Sequence, residues 1–425
     1  MRCLWLTREF PKPTVRGDLL YARNLIENLA GAGAAVTALA LSQTADDVPA
    51  GQDVCTRAED GVVWRVIRRQ PVNRIWSLLS GLPGDAYRNG TKEYRRELSR
   101  QLDAEPWDAV IINHVGMGWA FAPVLSWQRR CGRRVPVVYV SHNHEMSLKP
   151  EVAASHQGSA LFKAVLKHDA RKFVRLERFM IENSALMTTI TEADRDLYRR
   201  DFPDQPILCL LPGYDGTIVP ERTITAAVPR TCIIFGSINW IAKKQNMMDF
   251  LRCAEPIFTK AGIRVDIVGN VDADFARDAA AVASCCRFVG RVDDVSPYFA
   301  EARVGIMADR VGGGFKHKNL QYIFHRVPLV TMTGQAHGLA LDEGDDLIVA
   351  ETLEDLALKV VALIDDFERL NVLQNRAFAK CQGHFEWPVR GAQLFEALKA
   401  AADPVQADTA LNPDRATRAG MTAAA

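Results

Sequence analysis

Residues 312–330 read GGGFKHKNLQYIFHRVPLV. Three adjacent glycines let a backbone approach a ligand closely, and the helix that follows offers free N–H groups and the positive end of its dipole. Lys316 and Lys318 add positive charge at the same point, so the stretch suits a diphosphate. The competing reading of the same residues is a plain turn with solvated lysines. The apolar runs RVGIMAD before it and PLVTM after it read as buried strands. The whole is therefore a strand, glycine loop, helix, strand unit of a parallel α/β sheet.

Working outward, the same rhythm runs through TCIIFGS, IRVDIVG and CCRFVGRV upstream and LIVAET downstream, each apolar run followed by a helix. A first series precedes it: RCLWLT, AAVTALAL, WDAVIINH, VPVVYVSHNHE and SALMTTITEADRDLYRR. Between the two series, GYDGTIVPERTITAAVPR breaks the pattern with Gly, Pro and Thr, which places a domain boundary there. The expected organisation is a Rossmann-like domain over 1–212 and a second over 213–385. From 403 to 425 the chain lacks hydrophobic periodicity and reads as a flexible tail.

A chain of 425 residues with 48% hydrophobic content has room for two cores. Its 52 Lys and Arg against 51 Asp and Glu give no reason to expect nucleic acid, so any anion site must be local. The start, MRCLWLTREF, is too short an apolar run for a secretory signal and reads as a buried strand. No window approaches a membrane-spanning length. Nine scattered cysteines with no C-x-x-C pair suggest reduced thiols in a cytoplasmic protein.

The order of motifs resembles the large family of retaining GT-B glycosyltransferases that assemble bacterial polysaccharides and glycoconjugates. The resemblance rests on LWLTREFPKPTVRGD, SHNHE, ITEADRDLY, LPGYD, IIFGSINW, VDIVG, RFVGRVDDVSPYFAEARVGI, the 312–330 stretch and FEW, and covers the chain to about residue 400. It implies two Rossmann-like parallel-sheet domains facing across a cleft, with a crossover helix over 386–402, beginning near Glu386 and Trp387, packing on the first domain. It implies transfer of a sugar from a nucleotide diphosphate sugar, held mostly by the second domain, to a saccharide, lipid-linked or other glycoconjugate acceptor held mostly by the first. No permanently bound cofactor is expected, and the place of work would be the cytoplasm, at the inner face of the membrane for a lipid-linked acceptor.

The resemblance assigns the donor diphosphate to Gly312, Gly313, Gly314, Phe315, Lys316 and Lys318, with Lys318 offsetting charge on the departing nucleotide. Gln321 stands where such enzymes usually carry a glutamate for the donor ribose. An amide both accepts and donates, so ribose binding survives while the local charge changes. Gly236, Ser237 and Lys243 follow the first strand of the second domain, near the same end of the sheet. Many relatives have an arginine at Ser237, and Lys243 is the candidate replacement. Gly17 matches a first-domain loop that approaches the donor, and Gly338, beside His337, one near the donor pocket.

His114 follows the apolar strand AVIIN, so its imidazole belongs at a strand's carboxyl end and is the second catalytic candidate. Asp18, His142, His144 and Glu145 are candidates for acceptor hydroxyls. H-N-H-E would invite a zinc reading, but no third ligand of clear origin accompanies it, and no metal is expected. Asp293 and Asp294 read as a helix-start pair favouring the dipole. The run LFKAVLKHDARKFVRLERF interleaves Phe162, Val165, Leu166, Phe173 and Leu176 with Lys163, Lys167, Arg171, Lys172 and Arg175. It reads either as an apolar stripe packed on its own domain or as a basic face touching anionic lipid.

Two other functions fit the same architecture. A nucleotide-sugar epimerase would need acids and bases around the sugar ring. A catalytically impaired scaffold that binds a nucleotide sugar or a partner is favoured by Gln321 and Ser237.

Overall fold

The computed structural model describes residues 1–403 except 15, 74, 156–158, 239–240 and 311–314, and of 241–242 the backbone only. Gly312, Gly313, Gly314 and all but the first residue of the expected tail therefore lie outside the described residues. The chain forms two compact units, Met1–Gly213 joined by the segment from Glu386, and Tyr214–Phe385.

The first unit is built on eight strands: β1 (Arg2–Glu9), β2 (Ala35–Leu41), β3 (Val54–Glu59), β4 (Val62–Ile67), β5 (Ala109–Asn113), β6 (Val137–Val140), β7 (Leu186–Thr189) and β8 (Ile207–Cys209). They lie in the order β3-β4-β2-β1-β5-β6-β7-β8. β5 and β6 are buried at every position, the signature of strands covered by helices on both faces. Among the described residues only the β3–β4 pair is antiparallel. Its connection is Asp60–Gly61, both at positive φ (52° and 75°), a turn whose twist matches that of the flanking strands. This hairpin is not among the elements expected from sequence, although Asp-Gly between two β-branched runs is its usual signal.

The helix Trp387–Ala402 belongs to this unit and packs on the helix Gly17–Gly31. The approach is so close that a Cβ at Gly391 would lie 2.2 Å from the Asn28 carbonyl oxygen. Tyr21 ties the same helix to the end of β8 by donating to Leu210 O at 3.0 Å, and its ring meets Trp387 edge-on. A close, dry helix contact of this kind needs glycine.

The second unit carries six parallel strands: β9 (Thr231–Phe235), β10 (Arg264–Val268), β11 (Cys286–Gly290), β12 (Val304–Met307), β13 (Leu329–Met332) and β14 (Ile348–Ala350). Their order is β11-β10-β9-β12-β13-β14, the doubly wound arrangement, with its reversal between β9 and β12. In the first unit the corresponding reversal lies between β1 and β5. Ligands of such sheets bind beyond the carboxyl ends of the strands at these reversals, because the flanking loops diverge to opposite faces there. Gly305 on β12 lies under the ring of Tyr322, where a Cβ would sit 2.3 Å from a ring carbon. Tyr322 hydroxyl accepts from Phe235 N at 2.7 Å and donates to Ile306 O at 3.2 Å. This fixes the helix His317–Phe324 against both strands of the reversal.

No helix among the described residues is long and apolar enough to cross a membrane. All nine cysteines are unbridged.

Candidate functional site

At the β9/β12 reversal the second unit gathers three ammonium groups around one carboxylate. Asp309, two residues past the end of β12, accepts from Lys318 Nζ at 2.7 Å. Lys243 Nζ donates to the carbonyl of Ser237 at 3.2 Å. Burial, and next the charge of Lys318, push the Lys243 ammonium below its ordinary value against the opposing pull of Asp309. Burial lowers Lys316 as well, with Asp309 opposing and Lys318 and Lys243 adding to the effect. Burial alone would raise the Asp309 carboxyl, but Lys318, then Lys243 and Lys316, outweigh it and hold the group low. One negative charge among three positive ones leaves a local excess of about two, a field suited to an anion.

The backbone around this cluster is shaped by glycine. Gly236, at φ 136°, is close enough to Lys318 that a Cβ would meet its aliphatic stem at 3.5 Å. Gly269, at φ 141°, faces it from the end of β10, where a Cβ would fall 2.0 Å from Gly236 O. Only glycine fits at 269, and the two loops thus nest beyond the strand ends.

One turn along the same helix, Gln321 Oε1 accepts from the Tyr214 hydroxyl at 2.9 Å, and Tyr214 stacks on Phe324 with centroids 4.5 Å apart. With its oxygen so engaged, Gln321 turns its two N–H donors to whatever lies beyond. Phe315 packs tilted on Phe385 and edge-on to His317. Burial holds the His317 imidazole down at about 4. Gly338, at φ 82°, lies in the loop after β13, which is tied to the helix by Asn319 donating to Gln335 O at 2.8 Å.

In the first unit, the β1/β5 reversal brings together His114, His142, Asp18 and Glu145. His114 directly follows β5 at φ 80°, a conformation that costs a non-glycine residue of order 1–3 kcal/mol. Its Nδ1 accepts from Gly116 N at 2.9 Å, its Nε2 lies 3.9 Å from Glu145 Oε1, and its ring meets His142 edge-on at 5.2 Å. His142 Nε2 sits 2.7 Å from Asn113 Oδ1. Burial, and next the Arg8 charge, push the His142 imidazole down to about 4, and burial with Arg8 puts His114 well below its usual range. Both rings are therefore neutral at neutral pH.

Asp18, the second residue of the helix Gly17–Gly31, takes Arg8 at 2.5 Å and Arg16 at 3.1 Å. Burial would raise this carboxyl, yet the Arg16 hydrogen bond and the Arg8 charge keep it below the usual carboxylate range. Gly17 itself has open space around its Cβ position. Glu145, nearly buried, pairs with Lys149 at 3.2 Å. His144 turns elsewhere: its Nδ1 meets Ser147 Oγ at 2.7 Å and its ring lies on Tyr198 at 4.4 Å.

Beneath this loop lies a buried network that the sequence did not announce. Glu177, fully buried, accepts from the hydroxyls of Tyr198 at 2.6 Å and Tyr139 at 2.8 Å, and from Met146 N at 2.8 Å. Burial raises its carboxyl to about 8 in spite of these bonds. The network fixes the start of the helix Glu145–Ser155, and with it Glu145 and Lys149. Among the described residues no group of three or more His, Cys, Asp or Glu side chains is placed to hold a metal.

Residues 19–213 match the family model described as glycosyl transferase 4-like domain, and residues 229–366 match that of glycosyl transferases group 1. No curated protein sequence matches the chain. Among solved structures, sucrose-phosphate synthase from Thermosynechococcus elongatus is similar over 94% of this chain and 98% of its own at 15% identity, with a TM-score of 0.65. HepE from Anabaena in complex with UDP covers 94% of this chain and 100% of its own at 13% identity, TM-score 0.62. WaaG, a glycosyltransferase involved in lipopolysaccharide biosynthesis, covers 93% and 99% at 16% identity, TM-score 0.62. The chain therefore joins a glycosyl transferase 4-like domain to a glycosyl transferases group 1 domain in the GT-B fold.

Proposed function

We propose that the protein is a glycosyltransferase that moves a sugar from a nucleotide diphosphate sugar to a saccharide or lipid-linked acceptor, with retention of anomeric configuration. The observation that carries this reading is the cluster of Lys243, Lys316 and Lys318 around Asp309 at the β9/β12 reversal. A diphosphate supplies the negative charge that the cluster lacks, and the Anabaena HepE structure holds UDP. The 312–314 glycines, which lie outside the described residues, precede Phe315 in the sequence and remain the candidate phosphate cradle.

The chemistry asked of such a site is electrostatic. As the bond from the sugar's anomeric carbon to the diphosphate breaks, charge builds on the leaving oxygen, and preplaced ammonium groups favour that state over the ground state. Gln321 offers N–H donors to the ribose oxygens in place of a carboxylate. In the first unit, Asp18, His142 and Glu145 are the candidates for acceptor hydroxyls, with His114, neutral and buried, offering its Nε2–H because its Nδ1 already accepts from Gly116 N. The reading assigns the work to the cytoplasm.

The test is turnover with a panel of nucleotide diphosphate sugars, following release of the nucleoside diphosphate with and without saccharide acceptors. Acceptor-dependent release supports transfer. Sugar isomerisation without acceptor supports the epimerase, and tight donor binding without turnover supports the scaffold.

A further inference from the structure

Cys285 and Cys286 stand side by side at the start of β11, and their sulfurs lie 3.8 Å apart. Neighbouring side chains of an extended strand point to opposite faces, which ordinarily keeps such a pair apart. Here Cys285 precedes the strand, in a turn closed by Cys286 N donating to Ala283 O at 3.2 Å, and the two sulfurs come to one side. Both residues are partly exposed, unlike the buried Cys3, Cys232 and Cys381. Among the described residues β11 is an edge strand paired with β10 alone, so the pair is open to a small reagent. Glu255 holds the turn, accepting from Ser284 Oγ at 2.6 Å and from Cys285 N at 3.2 Å. Burial would raise this carboxyl, but the bonds from Cys285 and Ser284 hold it down at about 2.

The peptide joining the two cysteines is itself a rung of the sheet. Its carbonyl, Cys285 O, accepts from Val265 N at the start of β10 at 2.9 Å, and Val265 is fully buried. Alpha carbons joined by a trans peptide stand about 3.8 Å apart, closer than the roughly 4.4–6.8 Å an ordinary disulfide spans, so a bond between these sulfurs twists the peptide between them. The twist turns Cys285 O away from Val265 and opens the first rung between β10 and β11. At the far end of the same strand pair, Gly269 N donates to Gly290 O at 2.8 Å. Gly269 is the residue that nests against Gly236, which in turn touches the stem of Lys318. The two cysteines and the lysine cluster thus lie at opposite ends of one pair of five-residue strands.

We infer that Cys285 and Cys286 form a thiol–disulfide switch, closed by a small-molecule disulfide such as oxidised glutathione, and that closure loosens β11 and the donor loop it braces. The Cys286 sulfur attacks one sulfur of oxidised glutathione, forming a mixed disulfide and releasing one glutathione thiol. The Cys285 sulfur then attacks the Cys286 sulfur, and its proton passes to the second glutathione, which departs as a thiol. The protein loses two hydrogens and two electrons, and one oxidised glutathione becomes two reduced ones. The hydrogen bond to Cys286, then burial and the bond to Glu255, push the Cys285 thiol up, so Cys285 waits as the resolving sulfur. Strain in the closed ring makes its bond easily reduced, so a reducing thiol pool reopens it. The effect on the donor loop rests on the transferase reading above; the closure itself does not.

The full chain is equilibrated in glutathione buffers from fully reduced to fully oxidised, alkylated with iodoacetamide and cut with trypsin. Cleavage after Arg277 and Arg287 frees residues 278–287, DAAAVASCCR, which carry these two cysteines alone. In oxidised buffer this peptide should lose two hydrogens and resist alkylation, and dithiothreitol should restore both thiols. A peptide that stays alkylated at both positions, or that ends as a stable glutathione adduct, overturns the switch. Cys285→Ser should trap glutathione on Cys286, whereas Cys286→Ser should trap little on Cys285; equal trapping overturns the assigned order. Hydrogen exchange over residues 264–269 should quicken on oxidation of the wild-type chain and stay unchanged in Cys286→Ser, and no difference between the two overturns the coupling to β10. UDP affinity of the closed form should fall about 2- to 30-fold below that of the reduced form, and equal affinities overturn the link to the donor loop. Failure of the reduced chain to bind UDP overturns the donor reading alone, since closure is read from the mass of the peptide.

Discussion

Replacing Lys318 with alanine removes one of three positive charges from the Asp309 cluster and halves the local excess. A unit charge about 5 Å from a phosphate is worth about 3 kcal/mol at an effective dielectric of about 20. Lys318 keeps 20% of its side chain in solvent and Asp309 already neutralises part of its field, so the net loss should be about 1.5–3 kcal/mol. That corresponds to roughly 10- to 100-fold weaker UDP binding. Isothermal titration with UDP and with uridine separates the phosphate contribution from the rest, since uridine has no phosphate to lose. The companion variant Asp309→Asn should act in the opposite direction, because it deletes a carboxylate that competes with the ligand for the ammonium groups. Equal losses for UDP and uridine in Lys318→Ala would refute the phosphate contact. Weakening of UDP by Asp309→Asn as severe as that by Lys318→Ala would show that the pair serves structure instead.

Three further expectations follow from the described geometry. Gly269→Ala drives a methyl group to the Gly236 carbonyl at a positive φ, and calorimetry should show the second unit destabilised by about 2–4 kcal/mol, with no loss contradicting the nested loops. Glu177 has a folded value of about 8, above its ordinary 4.5, so its contribution is full below 4.5 and is lost as pH rises through about 8. The thermal midpoint of the wild-type chain should therefore fall between about pH 4.5 and 8 and level off above that, and Glu177→Gln, neutral and of similar shape, should flatten that fall; parallel curves would remove Glu177 as its cause. His114→Gly relieves a strained φ while deleting the imidazole, so turnover should drop with stability held or gained, whereas intact turnover would take His114 out of the catalytic set.

Sequence periodicity and punctuation made the sheets legible. Runs such as VVYV and VGIM are apolar throughout, the pattern of a strand covered on both faces, while RVDIV and CRFVG carry charged residues and read as strands by their place in the series. The β3–β4 hairpin was not legible because β3, VCTRAE, is a polar edge strand with no buried position, and only Asp60–Gly61 marks it. Local order also revealed residues that follow strand ends, His114 and the 316–318 lysines among them. Partners from distant segments were not legible. Asp309 closes a strand like many other aspartates, and only the fold brings Lys243 and Lys318 to it. Tyr214 reaches Gln321 across 107 residues, and Glu177 sits inside a charged helix with nothing local to distinguish it from its exposed neighbours. The exposed apolar residues within 75–79 were likewise invisible, since exposure is decided by packing and not by composition.

The most direct test of the account is the thermal midpoint of the full chain with UDP, GDP, TDP, ADP and CMP, because a ligand that binds the folded state alone raises it by mass action. The account predicts a selective rise with one nucleoside diphosphate and little with CMP. An unchanged midpoint with every nucleotide would contradict it.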